Sequence, residues 1–214
     1  MDFDLEQLQL HFVQSEEDFY RLKFYSDKIW KYNLSIEGKL TLLMSLSRML
    51  IDFPPGKFKR ANSTFASKII NHGMGLCGDY CRIFVALAYA RGFDGRLIGV
   101  KHSDGINGHV IAEVKVNENW IAFDPTFLTV CRCDVYTITD EPKEPYRFMS
   151  AYDWWKHPEI VDQQMNRGLW GWNHLGMSWK ELMHDFHVVG KPTIRQLGEE
   201  TFLRRFYGLD RGQV

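Results

Sequence analysis

The apolar residues of this chain change their spacing at Arg91-Gly92, and that change limits the folds open to it. Before that point they recur every three or four residues, the period of a helix with one buried face. Ser15-Glu16-Glu17-Asp18 reads as a helix start, a hydroxyl at the N-cap and acids in the first turn, followed by Phe19, Leu22, Tyr25 and Ile29 at helical spacing. A second helix is expected from about Ile36 to Ile51, ending before Pro54-Pro55, and a third from Ser63 to Asn71. Gly73-Met74-Gly75 interrupts the pattern. Cys77 then opens a further helix with Cys81, Phe84, Val85 and Ala88 on one stripe, closed by a cation and a glycine at Arg91-Gly92.

After Gly92 the period is two. Arg96 to Val100, Gly108 to Val116 and Asn119 to Asp124 read as short strands, the last two joined at Asn117-Glu118. Helices followed by a small antiparallel sheet make an α+β architecture. Beyond Pro125 the pattern is less regular. Trp154, Trp155, Trp170, Trp172 and Trp179 fall there among Gly168, Gly171 and Gly176, and Ser178-Trp179-Lys180-Glu181 is a capping box predicting a helix through about His187. These tryptophans are expected to pack the extension against the rest of the chain rather than to form a substrate groove or lid. Without an internal repeat or a low-complexity linker, the expectation is one domain over residues 1–214, with a core at about 60–130 and a C-terminal extension at about 135–214.

Acidic and basic residues nearly cancel, leaving a formal net charge of -1, so the basic excess that a nucleic-acid or anionic-membrane partner requires is missing. The first residues are acidic and lack the pattern of a secretory signal, and no apolar run approaches a membrane span. A soluble, cytoplasmic protein is the expectation, and its four cysteines are expected to be thiols.

Cys77 stands out among them because it opens a helix after a glycine-rich turn. Unpaired N–H groups and the helix dipole favour a thiolate there, while Cys81, one turn later on the apolar stripe, reads as a small buried hydrophobe. The strands add two more groups. If Val116 pairs with Asn119, Val114 faces Ile121 and Ala112 faces Phe123, which puts the apolar residues of both strands on one face. His109 and Asp124 then share the opposite face, one diagonal step apart. A carboxylate in that place can hold one imidazole nitrogen and leave the other for a thiol.

With these residues assembled, the chain resembles the core of the transglutaminase-like superfamily. The resemblance rests on Gly75-Leu76-Cys77-Gly78-Asp79, Gly108-His109-Val110-Ile111-Ala112-Glu113-Val114 and Trp120-Ile121-Ala122-Phe123-Asp124-Pro125-Thr126, and covers roughly Ser67 to Thr126. It implies a papain-like core in which a catalytic helix packs on a small antiparallel sheet. Cys77 would be the nucleophile, His109 the general base and acid, and Asp124 the orienting carboxylate. Val110-Ile111 departs from the small residue and tryptophan often found after the histidine. A side-chain donor to the oxyanion hole is less well marked, with Asn71 and His72 as candidates beside the Cys77 backbone N–H.

The resemblance implies a thioester intermediate formed from an amide- or peptide-type carbonyl, with no cofactor and no metal. The substrate would be a peptide, a protein or a small amide or thioester. Hydrolysis is favoured, and the alternative within the family is a transamidase or amide-forming acyltransferase using the same triad. The alternative outside it is a non-catalytic or metal-binding module drawing on Cys131-Arg132-Cys133 with Cys77, Cys81 or His102, although those spacings match no common zinc pattern. Substitution of Cys77 or His109 is expected to leave thermal stability nearly unchanged, as for side chains facing solvent.

Overall fold

The computed structural model describes residues 4–54, 59–102, 108–140, 146–147 and 186–188, with single positions at 158 and 161. Five helices come first: α1 (Leu5–Leu10), α2 (Glu16–Trp30), α3 (Ile36–Met49), α4 (Ala66–His72) and α5 (Cys77–Tyr89). Strands β1 (Gly95–His102), β2 (Gly108–Val116), β3 (Asn119–Asp124) and β4 (Thr129–Cys131) follow, then α6 (Val135–Asp140), β5 (Tyr146–Arg147) and β6 (Phe186–Val188). Among the described residues no helix is long and apolar enough to cross a membrane.

Local chemistry accounts for most of the boundaries. Ser15 caps α2 by accepting from the Asp18 N–H at 3.3 Å, and Ser35 caps α3 by accepting from Gly38 at 3.0 Å. Gly73, at φ 78°, ends α4 in the left-handed conformation that a Cβ disfavours. The β2–β3 turn places Asn117 and Glu118 at φ 48° and 66°, the arrangement whose twist matches a tight hairpin.

Among the described residues the named strands pair antiparallel, and the sheet runs β5-β4-β3-β2-β1-β6. The β2–β3 register pairs Val116 with Asn119, Val114 with Ile121 and Ala112 with Phe123, as the alternation of apolar residues requires. On one face Leu97, Val110, Ala112, Val114, Ile121, Phe123 and Val130 join the buried side chains of α3 and α5 in the main core, where Phe84 and Phe123 have ring centroids 4.9 Å apart. Each large apolar side chain buried here contributes about 1.5–3 kcal/mol.

The other face is not simply wet, as strict alternation would suggest. Ile98, Val100, Ile111 and Ala122 form a second, smaller cluster there with Cys131 and Val135, so β2 is buried on both sides. Glu113 faces this side, fully buried, with Oε2 accepting from Arg96 Nε at 2.6 Å and Oε1 from the Val135 N–H at 2.5 Å. Burial pushes its carboxyl above the ordinary range even though both donors oppose the shift.

Residues 186–188 correct one expectation. The helix predicted through about His187 does not reach that residue, because β6 adds to the outer edge of β1 and pairs His187 with Lys101. Free backbone groups on a sheet edge offer a strand more hydrogen bonds than a capping box can specify locally. The rest of that predicted helix, and Trp154, Trp155, Trp170, Trp172 and Trp179, lie outside the described residues.

Candidate active site

Cys77 is the first residue of α5, and its position depends on the turn before it. Asp52 N–H donates to the Gly73 carbonyl at 2.9 Å and Gly75 N–H to the Asp52 carbonyl at 3.0 Å, so residues 73–75 are held against the end of the α3 segment. Gly75 cannot carry a side chain. A Cβ there would lie 2.6 Å from Asp79 Cβ and 2.7 Å from Ile51 Cδ1, closer than packed atoms approach.

The helix start is unusual because its N-cap residue, Leu76, has no side-chain oxygen to offer the first N–H groups. Asp79 compensates from within the first turn. Its Oδ2 accepts from the Leu76 N–H at 2.9 Å and from Arg60 Nη2 at 2.9 Å, while Oδ1 accepts from Arg82 Nη1 at 2.8 Å. Two guanidinium groups thus balance a carboxylate that is only 5% exposed and stands two residues from the thiol. Asp79 belongs to the Gly75–Asp79 motif, but the sequence pattern by itself assigns it no role. The available signal was an acid in the first turn of a helix whose N-cap residue is apolar.

His109 enters β2 one residue after its start, and Asp124 closes β3. Asp124 is opposite Ile111 in the extended register, two residues from His109, which places the two side chains on a diagonal of one face. His109 Nε2 and Asp124 Oδ2 are 2.7 Å apart. The other carboxylate oxygen, Oδ1, accepts from the backbone N–H of Thr126 at 3.0 Å and of Phe127 at 3.3 Å, so the turn after β3 fixes the carboxylate in place. Phe127 lies against the imidazole with ring centroids 5.2 Å apart.

The remaining imidazole nitrogen, Nδ1, is left for Cys77, and the two groups act on each other's protonation. Burial works against a charged thiolate, but the hydrogen bond and positive charge of His109, backed by a hydrogen bond from the Val110 backbone, outweigh it; the charge of Asp124 works the other way. The net effect holds Cys77 below the ordinary thiol range. Burial likewise opposes a charged His109, yet Asp124, through charge and hydrogen bond, and then Cys77 push it up to about 10. Together these shifts favour a thiolate–imidazolium pair.

Cys81, fully buried, donates to the Val110 carbonyl at 3.3 Å, and burial, followed by the charges of Asp124 and Cys77, pushes its thiol well up. His109 is 7% exposed, which corrects the expectation that it faces solvent and can be removed at little cost, and its partner Asp124 is fully buried. Asn71 and His72 are both exposed on α4, and His72 Nε2 bonds the Lys59 carbonyl at 2.8 Å. Among the described residues no group of three or more His, Cys, Asp or Glu side chains is placed to hold a metal ion.

A thiol at a helix start, an imidazole and a buried carboxylate joined in series coincide with a known family pattern. Residues 39–125 match the transglutaminase-like superfamily. The match takes in Cys77, His109 and Asp124 and runs from within α3 through α4, α5, β1 and β2 to the residue after β3. It supports a cysteine enzyme at the level of class. Nothing among the curated proteins matches the chain. Among solved structures, one from Cytophaga hutchinsonii, described as a candidate cysteine protease, aligns with a TM-score of 0.45 and 21% identity over 59% of this chain and 44% of its own. With a likeness at that level, the functional reading rests on the residues of this chain.

Proposed function

We propose that this protein is a cysteine enzyme that attacks amide- or peptide-type carbonyls through a thioester on Cys77, with hydrolysis as the favoured outcome. The observation that carries this reading is the buried His109–Asp124 pair, 2.7 Å apart, whose charge and hydrogen bonding act on the Cys77 thiol at the start of α5.

The thiolate attacks the carbonyl carbon, and negative charge develops on the carbonyl oxygen. The Cys77 N–H, which receives no side-chain cap from Leu76, is available as one donor to that oxygen. His109 gives its Nδ1 proton to the departing amine, the carbon–nitrogen bond breaks, and the acyl group remains on sulfur as a thioester. Neutral His109 then takes a proton from water as the water attacks the thioester carbon. Cys77 leaves as the thiolate, and the acid product departs. Throughout, Asp124 holds Nε2–H and so keeps Nδ1 directed at the reacting atoms.

Water is the favoured acceptor because Cys77 remains partly exposed, and water is present at a far higher concentration than any amine. The test is to accumulate acyl-enzyme from a library of peptide and small amide substrates, then to offer hydroxylamine or a labelled primary amine. Free acid as the main product at millimolar amine supports hydrolysis. Dominant amine adducts would reject it in favour of transfer, and absence of any acyl-enzyme on Cys77 would reject the whole reading.

A further inference from the structure

Cys131 and Cys133 take no part in the site above. β4 ends at Cys131 and the chain bends through residues 132 and 133. Two residues apart on a straight strand, side chains of one face are separated by nearly 7 Å of backbone rise, at the far limit of disulfide geometry. The bend removes that separation. The two sulfur atoms lie 3.2 Å apart, with one thiol donating to the other.

Backbone and side-chain contacts hold the segment in this shape. Ala122 N–H donates to the Cys133 carbonyl at 3.0 Å, beyond the last β3–β4 pair at Ala122 and Cys131. Arg132, between the cysteines, donates from Nε to Glu37 Oε2 of α3 at 2.6 Å. Asp134 accepts from the Thr137 N–H at 2.8 Å and starts α6. Cys131 is 4% exposed within the second apolar cluster, while Cys133 is only partly buried. The pair therefore joins a partly exposed cysteine to a buried one with their sulfur atoms already in contact, an arrangement suited to an attacking and a resolving thiol.

We infer that Cys131 and Cys133 form a redox modification site, a dithiol that closes to an intrachain disulfide by exchange with a low-molecular-weight disulfide such as oxidised glutathione. The Cys133 thiolate attacks one sulfur of the reagent and expels the first small thiolate, leaving a mixed disulfide. The Cys131 thiolate then attacks the Cys133 sulfur and expels the second. Two electrons pass from the protein sulfurs to the reagent, and the two thiol protons end on the two released small thiols. This inference is independent of the catalytic reading of Cys77.

The test uses the full chain with Cys77→Ser, equilibrated in glutathione buffers from fully reduced to fully oxidised, quenched with an alkylating agent and mapped by mass spectrometry. The expected product is a peptide holding both cysteines that is two hydrogens lighter, unalkylated and free of glutathione. Adding Cys131→Ser should stop the reaction at a glutathione adduct on Cys133, which shows that the closing step needs Cys131. Both cysteines alkylated even in the most oxidising buffer, or a stable glutathione adduct while both cysteines are present, would overturn the proposal.

Discussion

Replacing Asp124 by Asn tests how the charge of one buried carboxylate controls the site. Oδ1 already accepts two backbone N–H groups, from Thr126 and Phe127, so the Asn oxygen must take that place; the reverse orientation would aim an NH2 at two donors. The Asn NH2 then points at His109 Nε2, which must act as acceptor, and the imidazole proton moves to Nδ1. That tautomer cannot take a proton from Cys77 or from water. Turnover should fall by up to about four orders of magnitude. The effect on His109 itself is separable by placing the substitution in Cys77→Ala, which removes the contribution of the thiol. A charge-assisted hydrogen bond alone contributes about 1.5–3 kcal/mol, and about 1.4 kcal/mol corresponds to one pH unit, so losing that bond together with the carboxylate charge should lower the His109 titration by at least about two units. Burial is the largest single influence on this histidine and acts downward. With both opposing groups gone, His109 should therefore titrate below the ordinary value of 6.5. Nitrogen-15 NMR of labelled histidine reads both the tautomer and the midpoint. A midpoint at or above 6.5 in the double variant, or an unchanged proton position in the single one, would refute this account.

Stability should follow the same group. In Cys77→Ala, whose His109 is still raised by Asp124, the stabilisation from the imidazolium is fully present below pH 6.5 and is lost as pH rises through the raised value; thermal denaturation across pH 6–10 should show that decline, and Asp124→Asn should remove it. In the native protein iodoacetamide should label Cys77 at near-neutral pH faster than Cys131 or Cys133 and leave Cys81 untouched, as read by peptide mapping. Cys77→Ala should abolish acyl-enzyme formation with little change in melting temperature, whereas His109→Ala should abolish it and also destabilise the chain by about 1–3 kcal/mol, because Asp124 loses a buried partner. Gly75→Ala should cost about 1–3 kcal/mol through the contacts with Asp79 and Ile51, and equal stability by urea denaturation would show that the turn can give way freely.

Much of the architecture was legible in the chain because it depends on local chemistry and on spacing. Serine at 15, glycines at 73 and 92 and the alternation from Gly108 to Asp124 specify helix ends, turns and the β2–β3 register through interactions a few residues long. Cys77, His109 and Asp124 could be singled out for the same reason: one opens a helix, and the other two share a strand diagonal that parity enforces. What spacing does not reveal is how a thiol on the helix that packs one sheet face meets a histidine that belongs to the other. Tertiary structure answers this at the end of the sheet, where β2 begins, β3 stops and the α5 N-terminus reaches Val110. Burial of His109 and Asp124, the Arg60–Asp79–Arg82 group beneath the thiol, and the addition of β6 to β1 were likewise decided only in three dimensions. Each depends on residues far apart in the chain, and the loss of water and the pairing of charge between such residues are properties of the packed chain that no local pattern encodes.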